Sequence, residues 1–301
     1  MNPKLSIIIV SYNVSDLLRS CLQSIYNDAL KDIEVIVVDN NSTDDSVSMI
    51  KENFKDVVLL ENKHNAGFPA ANNQAIAIAK AQNIFLLNPD TVILNNALQK
   101  IYELLLSSEE LKIITPCLLN TDGSTQFSIQ KFITVTEIWL EVFFLHNYYK
   151  RLHSYFNSAI TTPIKVEAAS GAALAFKRDV INKIGALNEK MFWTEDMEFC
   201  YRASKNKIET WYYPDIKITH HIGESGKKNP SVMISNQVLT KINFFKENHS
   251  VISFSLVWTA RLIHILSRLI LTGFVQLFIP LFKIKFVAYL FTLKRFVRND
   301  Y

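Results

Sequence analysis

The 301-residue sequence predicts an α/β fold: a mostly parallel sheet flanked by helices, with a C-terminal amphipathic helical extension. Three observations predict it. Over the first hundred residues, short β-branched apolar runs alternate with segments whose apolar residues recur at helical spacing, the pattern of βαβ units. The composition, 49% hydrophobic and 20% charged, suffices for one large or two small cores. The last fifty residues differ from the rest. After Ser250, seven Lys and Arg face one acid, Asp300, a local net charge of +6 against −2 for the first 250 residues.

Residues 5–10 (Leu-Ser-Ile-Ile-Ile-Val) read as a strand buried on both faces. The run is too short for a secretory signal core, so the chain is expected in the cytosol. Residues 14–26 carry Leu17, Leu18, Cys21, Leu22 and Ile25 at helical spacing. Residues 34–38 form the second strand, and Ser42 or Thr43 is placed to cap a helix running through Ile50. Residues 57–60 form a third strand, 70–81 an Ala-rich helix, and 84–87 a fourth strand closing in Asn88-Pro89-Asp90. The aromatic segment 139–156, broken by Lys150 and Arg151, reads as an amphipathic insertion shaping the acceptor side. The small residues 168–173 let backbone approach a ligand closely, and a helix is expected to start near Thr194.

The fourteen residues 269–282 carry no charge, yet fall short of the roughly 18 to 20 that span a bilayer. Basic residues recurring along apolar helices over 251–298 predict a peripheral anchor on an anionic membrane surface. The alternative is a helical pair packed on the core or on a partner subunit. Nucleic acid is not expected as a partner, given the apolar company of those charges. Cys21, Cys117 and Cys200 are odd in number and form no CxxC pair, as buried thiols of a reducing compartment would.

The chemistry is constrained by exclusion first. The turn after the first strand, Ser11-Tyr12-Asn13-Val14-Ser15, has no glycine, which excludes a GxGxxG dinucleotide site, and no Walker loop occurs. The acidic run starting at Asp39 has Asp44 and Ile50 where a calcium loop needs Gly and Glu. In parallel sheets, ligands bind beyond the carboxyl ends of the strands. The residues there are Ser11, Tyr12 and Asn13, then Asp39, Asn40 and Asn41, then Asn88 and Asp90, all polar and expected on one edge. Asp90 offers a hard oxygen ligand, and Mg²⁺ or Mn²⁺ takes one or two carboxylates plus substrate phosphates.

Seven ordered pieces resemble the family 2 glycosyltransferases, in particular a bacterial rhamnosyltransferase-like branch. They are Ser6 to Asn13, Val37 to Asp44, Asn65 to Asn73, Leu86 to Asp90, Ser170-Gly171-Ala172, Thr194 to Arg202 and His220-His221-Ile222-Gly223. The resemblance implies a GT-A fold, a nucleoside-diphosphate sugar donor, a divalent metal and inversion at the sugar carbon. It assigns residues 1–248 to the GT-A domain, with 1–115 for the nucleotide sugar and 116–248 for acceptor and catalysis, and leaves 249–301 as the membrane-associating tail. Asp196 is implied as the base and Glu195 as the group orienting it or the acceptor. Asp90 would hold the metal, with His220 as a further ligand. Ser11, Asn13, Asp39, Asn41, Asn65, Gly67, Asn72 and Asn88 would line the nucleotide sugar. Asn88 stands where the two-carboxylate motif has Asp, implying a looser metal site. Asp39 accepting from a pyrimidine imide N–H favours a UDP or dTDP donor. Arg202 is expected to pair with a nearby acid.

The expected function is therefore inverting, metal-dependent sugar transfer, with rhamnose by analogy, to a lipid-linked or polysaccharide glycan at the cytoplasmic face of the plasma membrane. The alternative is an inactive nucleotide-sugar-binding scaffold of a glycan assembly complex. A phosphohydrolase would need Asp-x-Asp after a strand, where this chain has Asp39-Asn40-Asn41.

Overall fold

The computed structural model describes residues 2–145, 147, 160–221 and 230–300. They divide into two compact units. The first holds the described residues of Met1–Lys131, Tyr155–Glu189 and Glu195–Glu224; the second holds those of Phe132–Ser154, Lys190–Thr194 and Ser225–Tyr301. This division differs from the expected boundary at 248/249, because the helix Pro230–Asn248 packs with the tail helices.

The first unit is a mostly parallel mixed sheet. Strands β1 (Leu5–Ser11), β2 (Ile33–Asp39), β3 (Val58–Glu61) and β4 (Asn83–Leu87) lie in the order β3-β2-β1-β4, all parallel. The intervening helices are α1 (Ser15–Tyr26), α2 (Ser46–Asn53) and α3 (Phe68–Ile78). Successive side chains of each strand point to opposite faces, so every central strand feeds two cores. Ile7, Ile9, Val35, Val37, Phe85 and Leu87 pack with Leu18, Leu22 and Ile25 of α1. Ile8, Val10, Ile36, Val38, Ile84 and Leu86 pack with Ala71, Ala75 and Ile76 of α3. A sheet covered on both sides explains why these strands read as continuous apolar runs.

The second half of the sheet is where the sequence was less explicit. It adds β5 (Thr91–Ile93), β6 (Ile113–Leu119), β8 (Ile164–Val166), β10 (Ala173–Lys177) and β11 (Thr210–His220), while β7 (Ile129–Gln130) pairs with β9 (Ala168–Ala169) apart. Strand β10 enters antiparallel between β4 and β6, and β11 runs parallel to β6. Helices α4 (Ala97–Ser107), α6 (Arg178–Ile184) and α7 (Glu195–Lys205) complete the layers, α5 (Val135–Val142) belonging to the second unit. Pro214 sits inside β11, where the register with β6 shifts between Tyr213 and Lys217; the irregularity accommodates a residue that cannot donate to the ladder.

Ser42 and Thr43 do not cap α2, which starts at Ser46 after Asp45. Ser42 Oγ accepts instead from the Asn13 N–H (2.9 Å), and the Thr43 N–H donates to Asn13 Oδ1 (2.7 Å), so the loops after β1 and β2 are tied to one another. Both Cys21 and Cys200 are buried free thiols that burial pushes up to about 12, and Cys117 is a third. Only the end of helix α5 falls within the expected aromatic insertion 139–156, of which residues 146 and 148–156 lie outside the described residues.

The second unit is helical: α5, α8 (Pro230–Asn248), α9 (Val251–Val275) and α10 (Phe282–Val297). Val238, Leu239, Ile242, Ile265 and Phe296 form its core. Glu141 of α5 pairs with Lys241 of α8 and with Arg261 of α9 (2.5 Å), and Arg261 is only 1% exposed. Arg268, one face along α9, donates to the terminal α5 carbonyls of Glu141 (2.6 Å) and Val142 (2.8 Å) and stacks over Phe144. Helix α9 is the one helix among the described residues long and apolar enough to cross a membrane, and about a third of its most apolar stretch is buried. The turn between α9 and α10 exposes Phe274, Leu277, Phe278, Ile279 and Leu281 beside exposed Lys283 and Lys285.

Candidate active site

The ends of β1 and β2 are in register, Ser11 opposite Asp39. Both side chains are buried, at 0% and 2% exposure, yet Ser11 Oγ and Asp39 Oδ1 have no hydrogen-bond partner among the described residues. The other oxygen, Asp39 Oδ2, accepts from the Ser42 N–H at 2.9 Å. A buried polar atom without a partner costs roughly 1–3 kcal/mol, so two at the mouth of a parallel sheet mark a place built for a hydrogen-bonding ligand. The surrounding loops are preset. Asn13 (φ 56°) and Asn41 (φ 67°) hold left-handed turns that asparagine tolerates well. Asn40 Nδ2 donates to the Gly67 carbonyl at 3.4 Å, and Asn62 Nδ2 to Asn40 Oδ1 at 2.9 Å.

Gly67 has φ +84°, a conformation that leads the chain into α3 without a Cβ penalty, and its N–H donates to Asn65 Oδ1 at 3.0 Å. Asn65 is exposed. Asn72 is 1% exposed and donates to the Phe68 carbonyl one turn back, so its amide serves the helix start.

Beyond β4, Asn88 and Asp90 meet the end of β11. His220 Nε2 lies 3.2 Å from Asp90 Oδ1 and 3.3 Å from Asn88 Nδ2, and the His221 N–H donates to the Asp90 carbonyl at 2.8 Å. Cys21 and Thr91 pack beneath this turn, and the Thr91 hydroxyl donates to the Asn88 carbonyl at 2.7 Å. An oxygen and an imidazole nitrogen 3.2 Å apart fit two adjacent ligands of an octahedral ion, since bonds of about 2.1 Å at right angles leave about 3.0 Å between donors. No cluster of three or more His, Cys, Asp or Glu occurs among the described residues, and an ion held by Asp90 and His220 would take further ligands from substrate oxygens. That is the habit of Mg²⁺ and Mn²⁺.

The turn before β10 joins this corner to Asp196. The Asn88 N–H donates to the Ala172 carbonyl at 2.9 Å, and one residue earlier the Gly171 N–H donates to Asp196 Oδ2 at 2.7 Å. Asp196 Oδ1 accepts from the Met197 N–H, also at 2.7 Å. Burial raises the Asp196 carboxyl above its usual range, and the N–H bonds from Gly171 and Met197 oppose that rise. Glu195 is half-buried beside it at the start of α7. Arg202 is a structural pin: it pairs with buried Glu198 (2.7 Å) and donates to the carbonyls of Ile184, Gly185 and Ala186. Two site residues escaped the sequence. Gly171 was expected only to let backbone approach a ligand, and its bond to Asp196 was not foreseen. Gln126 gave no signal, and meets His220 across 94 residues.

Comparison with known proteins bears on the family and the fold. The family model described as glycosyl transferase family 2 matches residues 6–185. A poly(ribitol-phosphate) beta-glucosyltransferase of Bacillus spizizenii is 39% identical over 105 residues, 33% of this chain and 17% of that protein. A GalNAc(5)-diNAcBac-PP-undecaprenol beta-1,3-glucosyltransferase of Campylobacter jejuni is 31% identical over 105 residues, 34% of each chain. These matches span well under two thirds of the relatives' own lengths. Among solved structures, a mannosyltransferase of Pyrobaculum calidifontis, in complex with GDP-Man and Mn²⁺, superposes with TM-score 0.58 at 16% identity, covering 100% of this chain and 88% of that one. The fold is GT-A-like.

Proposed function

The chain belongs to glycosyl transferase family 2, and from that premise we propose that it transfers a sugar, with inversion, from a UDP or dTDP donor to a hydroxyl of a lipid-linked or polysaccharide glycan. One observation carries the reading. The three-residue turn 170–172 is bonded to Asp196 on one side and to the Asp90 corner, through Asn88, on the other. A base and a diphosphate-binding corner joined by one short turn are the two groups an in-line displacement needs.

In this reading Asp196, ionised and held by two backbone N–H groups, takes the proton of the acceptor hydroxyl. Glu195 orients the acceptor. Asp90 and His220 are the residues that would hold Mg²⁺ or Mn²⁺, whose charge supplies electrostatic stabilisation of the diphosphate leaving group. Ser11 Oγ and Asp39 Oδ1 receive the nucleoside, with Asn13, Asn41, Asn65, Gly67 and Asn88 around the ribose and diphosphate, while buried Asn72 braces the start of α3 instead of meeting the donor as expected. Two relatives named as glucosyltransferases favour a hexose; rhamnose rests on the sequence resemblance alone.

A peripheral position on the cytoplasmic membrane surface belongs to the same reading. The basic apolar turn of α9 and α10 is its support, and a relative named for an undecaprenol-linked acceptor is consistent with it. Arg261 and Arg268, buried and bonded to α5, favour α9 lying on the membrane over crossing it, because a crossing would carry two cations and their partners into hydrocarbon.

A thermal-shift panel of UDP-, dTDP- and GDP-sugars with Mn²⁺ tests the donor assignment, since a ligand stabilises the state that binds it. A pyrimidine donor should raise Tm and a guanine donor should not. Stabilisation by GDP-sugars alone would refute the role given to Asp39.

A further inference from the structure

Gln126 lies on the loop after β6, 6% exposed, and its backbone N–H donates to the Leu118 carbonyl. Its side-chain Nε2 faces two oxygens, the His220 carbonyl at 3.2 Å and Asn120 Oδ1 at 3.1 Å. The opposite amide orientation would set Oε1 against both and forfeit two hydrogen bonds at a buried site. Gln126 Oε1 therefore faces His220 Nδ1, at 2.7 Å, and that nitrogen must carry a hydrogen. A neutral imidazole protonated at Nδ1 has its lone pair on Nε2, the atom 3.2 Å from Asp90 Oδ1.

We infer that Gln126 is a positioning residue that holds His220 in its Nδ1–H form, so that Nε2 and the Asp90 carboxylate present two adjacent ligand atoms to one divalent cation. The inference rests on the reading of Asp90 and His220 as the metal corner. It adds a residue that no motif marks and a reason for the ring's orientation. The turn at residues 120–124 supports Gln126 in its own right: the Asn120 N–H donates to the Ser124 carbonyl at 2.8 Å, and Asn120 Nδ2 to Ser124 Oγ at 2.9 Å. Outer partners of metal-bound histidines act by fixing tautomer and ring angle, and their loss typically weakens metal binding about 10- to 100-fold.

The test uses the full chain labelled with ¹⁵N-histidine. The His220 resonances are assigned by their loss in His220→Ala, and Mn²⁺ affinity is measured by electron paramagnetic resonance, alone and with UDP. Wild-type His220 should show a protonated Nδ1 and an unprotonated Nε2. Gln126→Met should lose that single tautomer and bind Mn²⁺ about 10- to 100-fold more weakly. Gln126→Glu, which keeps an acceptor opposite Nδ1 but loses the donor to the His220 carbonyl and Asn120 Oδ1, should hold the tautomer and the affinity better than Gln126→Met while lowering Tm. A Met variant that unfolds at the wild-type temperature and keeps both tautomer and affinity overturns the role of Gln126. Wild-type protein showing the expected tautomer but binding no Mn²⁺, even with UDP, overturns the metal reading beneath it.

Discussion

Replacing Gly171 with alanine places one methyl group against the base. A Cβ built there meets Asp196 Cβ at 3.3 Å, Phe68 Cε1 at 3.5 Å and Asp196 Oδ2 at 3.6 Å. Ordinary carbon contacts lie near 3.5–4.0 Å, so Asp196 must retreat by about 0.3–0.5 Å. A 1 Å misplacement of a catalytic group costs on the order of 100-fold, and scaling that loss gives a fall in kcat of about 4- to 10-fold. Retreat also lengthens the 2.7 Å bond from the Gly171 N–H, one of the contacts that lower the Asp196 carboxyl against its burial. Weakening it raises that carboxyl further. The base works only when ionised, so the acid limb of the rate profile should move to higher pH. Release of nucleoside diphosphate, followed across pH beside a donor titration, reads both effects. The alanine variant should show the lower kcat and the displaced limb with donor affinity unchanged. Wild-type kcat with an unmoved limb would refute the contact between this turn and the base.

Two predictions concern the helical unit. Lys241 and Arg261 pull the buried Glu141 carboxyl down to about 2, against the desolvation that alone would raise it. Its ionised form is therefore favoured in the folded state, a contribution complete above the ordinary value of 4.5 and lost as pH falls through about 2. Glu141→Gln should cost about 3–5 kcal/mol at neutral pH by leaving two buried cations unpaired, and should flatten the acid loss of stability between those values. Denaturant unfolding measures both, and an unaltered midpoint would contradict the pairing. At the exposed turn, Phe278→Glu together with Leu281→Glu removes two side chains worth about 1.5–3 kcal/mol each if buried in lipid. Flotation with phosphatidylglycerol vesicles should drop at least tenfold, whereas binding equal to wild type would favour a helical pair that packs on protein.

The first half of the sheet was legible because its strands are buried on both faces and its loops carry the ligand-facing residues immediately after them. Ser11, Asp39 and Asp90 could be found by counting from Val10, Val38 and Leu87. The second half was obscured by tertiary effects. Pro214 hides β11 from a propensity argument, since the sheet absorbs it as an irregularity visible only in the pairing. Ser42 and Thr43 looked like caps because their chemistry suits that role, yet the β1 loop competes for the same groups. Gln126 was invisible because its partner is 94 residues away and its meaning depends on which imidazole nitrogen it faces. Helix α8 was grouped with the sheet by position along the chain, although Val238, Leu239 and Ile242 bury against Ile265 and Phe296.

Sugar transfer by the Asp196→Asn variant is the most direct measurement of the central claim. The substitution keeps the size of the side chain and an oxygen for the Gly171 N–H, while removing the ability to take a proton. General-base catalysis contributes typically 10²- to 10⁴-fold. Transfer should therefore fall by at least a hundredfold, while the donor with Mn²⁺ still raises Tm as it does for the wild type. Retention of most of the wild-type transfer rate by this variant would contradict the account.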